Sequence, residues 1–349
     1  MSTRRLAAGL VAATLTISLA ACSSDTEGTT DGTADAPDSA AASDGNFPVT
    51  IEHAFGETVI EEAPERVATV AWNNHEVPLA LGVTPVGMEK VTWGDDDNNG
   101  MLPWVEEKLS ELGSETPELF DATDALPFET IANTQPDVIL ASYSGLTQED
   151  YDQLSQIAPV VAYPEQAWGT SLEEMIEMNS TAIGKPEEGQ ELIDSIHADI
   201  QTAMDDHPEL QGTKPAFAFI DNSDTSKIGI YTPADPRVSF LVNAGFEQPQ
   251  VVTDNDSPDS FYTEVSAENP EAFEDVDFLI TYGSDDAAEN EASLKAWQED
   301  PLLSRIPAIS EGKVAFLGNG PVAATANASP LSVGWGVDQY FSILEEAAK

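Results

Sequence analysis

The chain has 349 residues, 41% hydrophobic and 22% charged, which is enough apolar surface for one or two cores and excludes general disorder. Against 13 Lys and Arg stand 63 Asp and Glu, a formal net charge of −50, so neither nucleic-acid phosphate nor an anionic membrane surface fits as a partner. The single cysteine, Cys22, rules out an internal disulfide and any multi-cysteine zinc or iron–sulfur site.

At the N-terminus, Arg4 and Arg5 precede an uncharged stretch from Leu6 to Leu19, and Leu19-Ala20-Ala21 puts small residues before Cys22. The stretch is short for a membrane span and is interrupted by Thr14, Thr16 and Ser18. The pattern resembles a bacterial lipobox, which implies a signal peptide at 1–21, cleavage after Ala21, and lipidation of Cys22 on the outer face of the cytoplasmic membrane. An ordinary secretory signal with a chance cysteine is the alternative. Residues 22–46 hold six acidic and no basic residues among Ser, Thr, Gly and Ala, too polar to offset the entropy of ordering, and read as a flexible tether.

Alternation around Phe55-Gly56-Glu57 predicts a β-hairpin over Val49 to Ile60. Strands are then expected at Arg66 to Ala71, Pro85 to Gly87, Asp137 to Ala141 and Val160 to Tyr163. Helices are expected at His75 to Leu81, Pro103 to Leu112, Phe128 to Asn133 and Thr147 to Gln156. This order predicts a parallel sheet covered by helices over residues 47–185. Residues 186–207 form one long helix: Pro186 suits its first turn, Glu187 and Glu188 its positive end, and Leu192, Ile196, Ile200 and Met204 make one apolar stripe. Residues 208–349 give a second α/β unit. Its strands are Ala216 to Ile220, Phe278 to Tyr282 and Lys313 to Leu317, and its helices are Pro236 to Ala244, Ala267 to Phe273, Glu289 to Gln298 and Pro330 to Ala347.

Several pieces in order carry a resemblance: Pro64-Glu65-Arg66-Val67, Leu79 to Gly87, Pro127 to Ala132 with Pro136 to Leu140, Ser142 to Thr147 and Ile157 to Val161. They continue in Pro236-Arg237, Leu241 to Phe246, Val265 to Glu268 and Asp277 to Ile280. Together they are similar to the periplasmic-binding-protein family that serves iron–siderophore, cobalamin or haem ABC importers, over essentially all of Phe47 to Lys349. The resemblance implies two Rossmann-like α/β lobes joined by the long backbone helix, with a ligand cleft between them. It also implies a monomer that captures a ferric siderophore, with no cofactor of its own, and delivers it to a permease dimer.

In open α/β sheets, ligands bind beyond the carboxyl ends of the strands. Those ends carry Trp72, Trp93, Tyr143 and Trp168 in the first half, and Asn222, Tyr231, Phe261, Tyr262 and Tyr282 in the second; all but Asn222 are large π-faces suited to a bulky chelate. Trp104, Trp297 and Trp335 fall inside helical patterns and read as packing. Arg237, at a helix start, suits either the oxygens of a ferric chelate or a surface ion pair. By the resemblance, Thr123 stands where hydroxamate-binding relatives carry Arg, and the small residues of 318–324 occupy a loop where some relatives place aromatics. The same resemblance implies that Glu129 and Glu268 take rim positions that meet permease arginines; each also suits a helix N-terminus.

The rivals are weaker. The sequence has no nucleophile elbow, phosphate-cradling loop or His-Glu-x-x-His, so catalysis is not expected. A bare metal-ion binder needs several converging imidazoles, and only His75 is near the predicted cleft. A non-transport surface protein would show no saturable ligand. Among chelates, a hydroxamate, catecholate, citrate, haem or cobalamin all remain open.

Overall fold

A computed structural model of the chain describes residues 47–256 and 260–349; the signal segment, Cys22 and the tether lie outside the described residues. β1 (Val49–His53) and β2 (Gly56–Ile60) form the expected antiparallel hairpin, in register Val49↔Ile60. The first lobe continues as β3 (Val67–Thr69), α1 (Glu76–Ala80), β4 (Gly87–Glu89), α2 (Pro103–Leu112) and β5 (Glu118–Phe120). It closes with α3 (Phe128–Asn133), β6 (Val138–Ala141), α4 (Gln148–Leu154), β7 (Val160–Ala162) and α5 (Leu172–Ala182). The strands lie in the order β5-β4-β3-β6-β7, all parallel. Burial on both faces explains their apolar runs: Val138 and Leu140 pack toward the hairpin with Ile51 and Ile60, while Ile139 and Ala141 pack the other way with Ile131 and Leu154.

α6 (Pro186–Asp206) is the long helix, with Pro186 and two glutamates in its first turn. At 21 residues it spans about 30 Å. Its buried residues Ile193, Ile196, Ile200 and Met204 join Val77 and Ile176 of the first lobe to Phe217, Phe278 and Phe341 of the second in one cluster. Gly189 sits where α5 presses closest: a Cβ there would lie 2.1 Å from the Ser180 Oγ.

The second lobe runs β8 (Pro215–Phe219), β9 (Lys227–Tyr231), α7 (Pro236–Asn243), α8 (Gln250–Thr253), β10 (Tyr262–Ser266) and β11 (Phe278–Thr281). It ends with α9 (Ala287–Glu299), α10 (Pro307–Ser310), β12 (Val314–Phe316), α11 (Pro321–Ala324) and α12 (Ser332–Ala348). Its sheet, β10-β9-β8-β11-β12, is parallel only across β8-β11-β12; β9 and β10 pair antiparallel.

Several expectations shift. The strand read at Pro85 to Gly87 forms at Gly87–Glu89, where it pairs with Glu118–Phe120, a strand too short to announce itself. Of the helix read at Ala267 to Phe273, only a 3-10 turn at Pro270–Phe273 forms, starting at the proline that supplies no N–H to an earlier turn. Residues 321–324, read as loop, are helical.

The C-terminal segment leaves its own lobe. Ala324, Leu331 and Trp335 cover a first-lobe cluster of Leu79, Met88, Leu102 and Trp104, and Trp335 meets Trp104 with centroids 5.1 Å apart. Glu76 of α1 is fully buried there, accepting hydrogen bonds from Trp104 Nε1 (2.7 Å) and the Leu331 N–H (3.0 Å). The two lobes are therefore tied by α6 and by this returning strut.

Candidate ligand-binding cleft

The strand order of each sheet reverses around its central strands, between β3 and β6 in the first lobe and between β8 and β11 in the second. Such switch points are where chain connections diverge and leave a crevice. Trp72 follows β3, Tyr143 follows β6 and Tyr282 follows β11, so three of the predicted aromatics arise where topology places a site. Between them lies a cavity of about 300 Å³ lined by Trp72, Trp93, Arg237, Tyr282 and Asn327. A larger groove of about 520 Å³ at α5, α6 and α7 is lined by Glu173, His197 and Asn243 among others; it has no Trp, Tyr or Phe wall, and its Glu173 is engaged by both His197 and Asn243.

The rings form a continuous chain in which Trp72, Trp93 and Tyr282 line the cavity and Phe217, 1% exposed, packs behind them. Trp72 and Trp93 lie 6.4 Å apart, Trp93 meets Tyr282 edge-on at 5.1 Å, Tyr282 meets Phe217 at 5.3 Å, Phe217 meets Tyr231 at 5.2 Å, and Tyr231 meets Tyr262 at 5.6 Å. Tyr143 and Trp168 make a second edge-to-face pair at 5.4 Å. Trp168 is 36% exposed with φ +62°, and a Cβ at Gly145 would lie 2.2 Å from its Nε1; glycine is what lets the indole lie down.

Arg237 is held on three sides. Asp235, 1% exposed, caps α7 and grips the guanidinium with Nε–Oδ1 at 2.8 Å and Nη2–Oδ2 at 2.7 Å. Nη1 donates to the Tyr282 hydroxyl at 3.3 Å, and the guanidinium carbon lies 4.0 Å from the Tyr231 ring centroid. Burial disfavours its charge, but the Asp235 hydrogen bonds and negative charge outweigh that and hold its pKa above the ordinary value. Three of its five N–H groups are thus engaged, and the charge reaches the cavity already balanced. Burial, and then the charge of Asp235, raise the Tyr143 pKa; the Tyr143 hydroxyl is paired with Asn327 Nδ2 at 3.0 Å, so first-lobe and second-lobe groups meet here.

Other expected positions lie elsewhere. Asn222 accepts from Trp297 Nε1 at 2.8 Å and lines a separate surface groove with Thr225 and Asp300, because its loop folds over α9 and not toward the cleft. Thr123 is exposed and bonded to Asp121 at 2.7 Å. Phe261 is half-buried beside Tyr262, its carbonyl accepting from the Thr232 N–H. Glu129 lies in the first turn of α3 and Glu268 follows β10; both are exposed and neither pairs with a basic residue among those described. Asn327 and Phe217 were not foreseen. Asn327 sits in a small-residue loop without a pattern, whereas Phe217, inside a predicted strand, could have been reached by following alternate residues to the Tyr231 side.

Among the described residues, the carboxylates able to share a cation are Asp95, Asp96 and Asp97, within 4.8 Å of one another. Their loop has the Asp95-x-Asp97-x-Asn99-Gly100 spacing, with Glu106 twelfth, of calcium-binding loops. It follows Trp93 and contributes no lining to the cavity.

Residues 67–320 match the family model described as periplasmic binding protein. The chain belongs to that family. Its fold superposes with a TM-score of 0.80 on Streptococcus pneumoniae TIGR4 PiaA, solved in complex with ferrichrome, at 45% identity over 86% of this chain and 98% of that one. YfiY of Bacillus subtilis, described as a probable siderophore-binding lipoprotein, is 30% identical over 41% of each chain. The ferric-anguibactin-binding protein FatB of Vibrio anguillarum is 30% identical over 33% of this chain and 32% of its own. The alignments thus span about a third to two-fifths of these two relatives. The periplasmic-binding kinship and the two-lobed α/β fold agree with the sequence reading, and the family consists of binding proteins and not enzymes.

Proposed function

We propose that this chain is the extracytoplasmic capture component of an ABC importer and that its cleft takes a ferric siderophore without net charge, of the hydroxamate kind to which ferrichrome belongs. The observation that carries this reading is the cavity itself: rings on two sides and an Arg237 already neutralised by Asp235. A strongly anionic chelate would want an unpaired cation, and a bare metal ion would want converging imidazoles; a bulky neutral complex wants area and a few donors. The ferrichrome complex of PiaA, at 45% identity, supports the same class. In this reading Trp72, Trp93, Tyr143, Trp168, Tyr231, Tyr262 and Tyr282 bear on the chelate and Arg237 offers it the remaining N–H edge. Cys22 anchors a monomer to the membrane by lipid, and Glu129 and Glu268 face the permease.

The test is a tryptophan-emission titration of residues 47–349 with ferric hydroxamates, ferric catecholates, ferric citrate, haem and cobalamin. Saturable quenching by a neutral ferric trihydroxamate is expected, and Trp72→Ala should cost about 2 kcal/mol, roughly thirtyfold in affinity. Saturation by an anionic chelate alone, or by none, would overturn the reading.

A further inference from the structure

Beside the cleft lies a second, smaller cavity of about 40 Å³, between the carboxyl ends of the neighbouring strands β3 and β4. Trp72 lines both spaces, and the small one is completed by Asn73, His75, Glu89 and Lys90, among others. Ala71 and Asn73, on either side of Trp72, both adopt φ +63°, so the backbone is forced into a costly conformation at this point. Two of the lining residues carry buried nitrogens without a hydrogen-bond partner: Trp72 Nε1 and His75 Nδ1, the latter on a side chain only 2% exposed. Glu89 uses one carboxylate oxygen to accept the Ala71 N–H at 2.8 Å.

The chemistry of these groups narrows the occupant. An indole N–H only donates, and an ionised carboxylate only accepts, while an imidazole Nδ1 does either. A cation would suit Glu89 and His75 but not the indole; an anion would suit the indole but not Glu89. A group that both accepts and donates suits all three, and 40 Å³ has room for one oxygen, since a water's share of liquid volume is about 30 Å³. We infer that this niche binds a single neutral O–H group, which accepts from Trp72 Nε1 and donates toward Glu89 or His75, and so fixes the indole that walls the cleft. The oxygen comes either from a trapped water or from a hydroxyl on the chelate; the second source rests on the function proposed above.

The experiment is a high-resolution crystal structure together with 15N NMR of the Trp72 indole N–H, recorded with and without ligand. The ligands are a neutral ferric trihydroxamate bearing a hydroxymethyl group and its unsubstituted counterpart, with gallium replacing iron for NMR. In the free protein, one ordered oxygen bonded to Trp72 Nε1 and a water cross-peak to that N–H are expected, whatever the cleft binds. In the complexes, persistence of the water identifies the first source and its replacement by the chelate hydroxyl the second. Glu89→Leu should remove the water cross-peak and, where a chelate binds, weaken its binding by about fivefold, the worth of one net hydrogen bond, while Glu89→Gln, whose one amide oxygen stays with the Ala71 N–H and whose amide N–H faces the niche, should retain the oxygen, now donating to His75 Nδ1. An empty niche, a metal ion revealed by anomalous scattering, or the Lys90 ammonium seated in it would overturn the inference.

Discussion

Arg237 and Asp235 act as one unit, and separating them exposes what each is for. Asp235→Asn leaves a guanidinium, 15% exposed at its side chain, without its counter-charge. The expected cost in urea unfolding is about 3 kcal/mol, as for other broken buried pairs, and the freed charge should shift preference from neutral toward anionic chelates in the emission titration. Glu76 makes a second, separate demand. Burial raises its pKa from the ordinary 4.5 to about 7, against the hydrogen bonds from Ser329, Trp104, Leu331 and Ser332 that lower it. Because the folded chain keeps the proton that the unfolded chain loses, this contribution is whole below about pH 4.5 and is lost as pH rises through about 7, a span of about 3 kcal/mol. Burial also holds the His75 pKa down from 6.5 to about 4, a contribution of opposite slope up to about pH 6.5, so the test is the difference: the unfolding free energy of the parent chain minus that of Glu76→Gln should fall from pH 5 to 8. That variant should also be less stable throughout, since an amide would set N–H against the donors of Trp104 or Leu331.

The contact between α5 and α6 shows how one glycine places two elements. Gly189→Ala improves helix propensity by about 1 kcal/mol, yet its methyl would sit 2.1 Å from Ser180 Oγ and 2.6 Å from its Cβ. Net destabilisation of about 1–3 kcal/mol is expected by thermal melts, and Ser180→Gly in the same chain should restore most of it; failure of the rescue would show that the strain lies elsewhere. Elements were legible where an apolar pattern met an end signal, as in α2, with Pro103 first and Gly113 just after it, and α6, with Pro186 first. α5 does not stand out in the sequence although Ser171 and Glu174 form a capping box at its start, a local signal obscured by the polar residues around it. β5 has only three residues and one buried side chain, so nothing short of its partner β4 identifies it. The cleft was half legible for the same reason. Aromatics after strand ends could be read from order alone, whereas Asn327 and the Asp235 clamp depend on chain segments that meet only in three dimensions.

At the scale of the whole molecule, charge and connectivity set the terms of delivery. On a surface this acidic, the docking role proposed for two exposed glutamates would act through position more than through their share of the net charge. Reversing Glu129 and Glu268 together to Arg should leave chelate affinity nearly unchanged and abolish uptake by cells carrying the importer; normal uptake would remove them from the docking surface. With α6 and the returning strut both bridging the lobes, solution scattering of free and loaded protein should differ only slightly. The strut also bears on the timing of folding. Leu79, Met88, Leu102 and Trp104 emerge early in synthesis, but the residues that roof them, Ala324, Leu331 and Trp335, emerge among the last 26 of 349. Throughout most of its elongation the first lobe therefore carries an open apolar face. Completion of that face waits for the final stretch of chain, whereas the lobe's other two clusters, around Ile139 and Val138, need no later residue and can close before it.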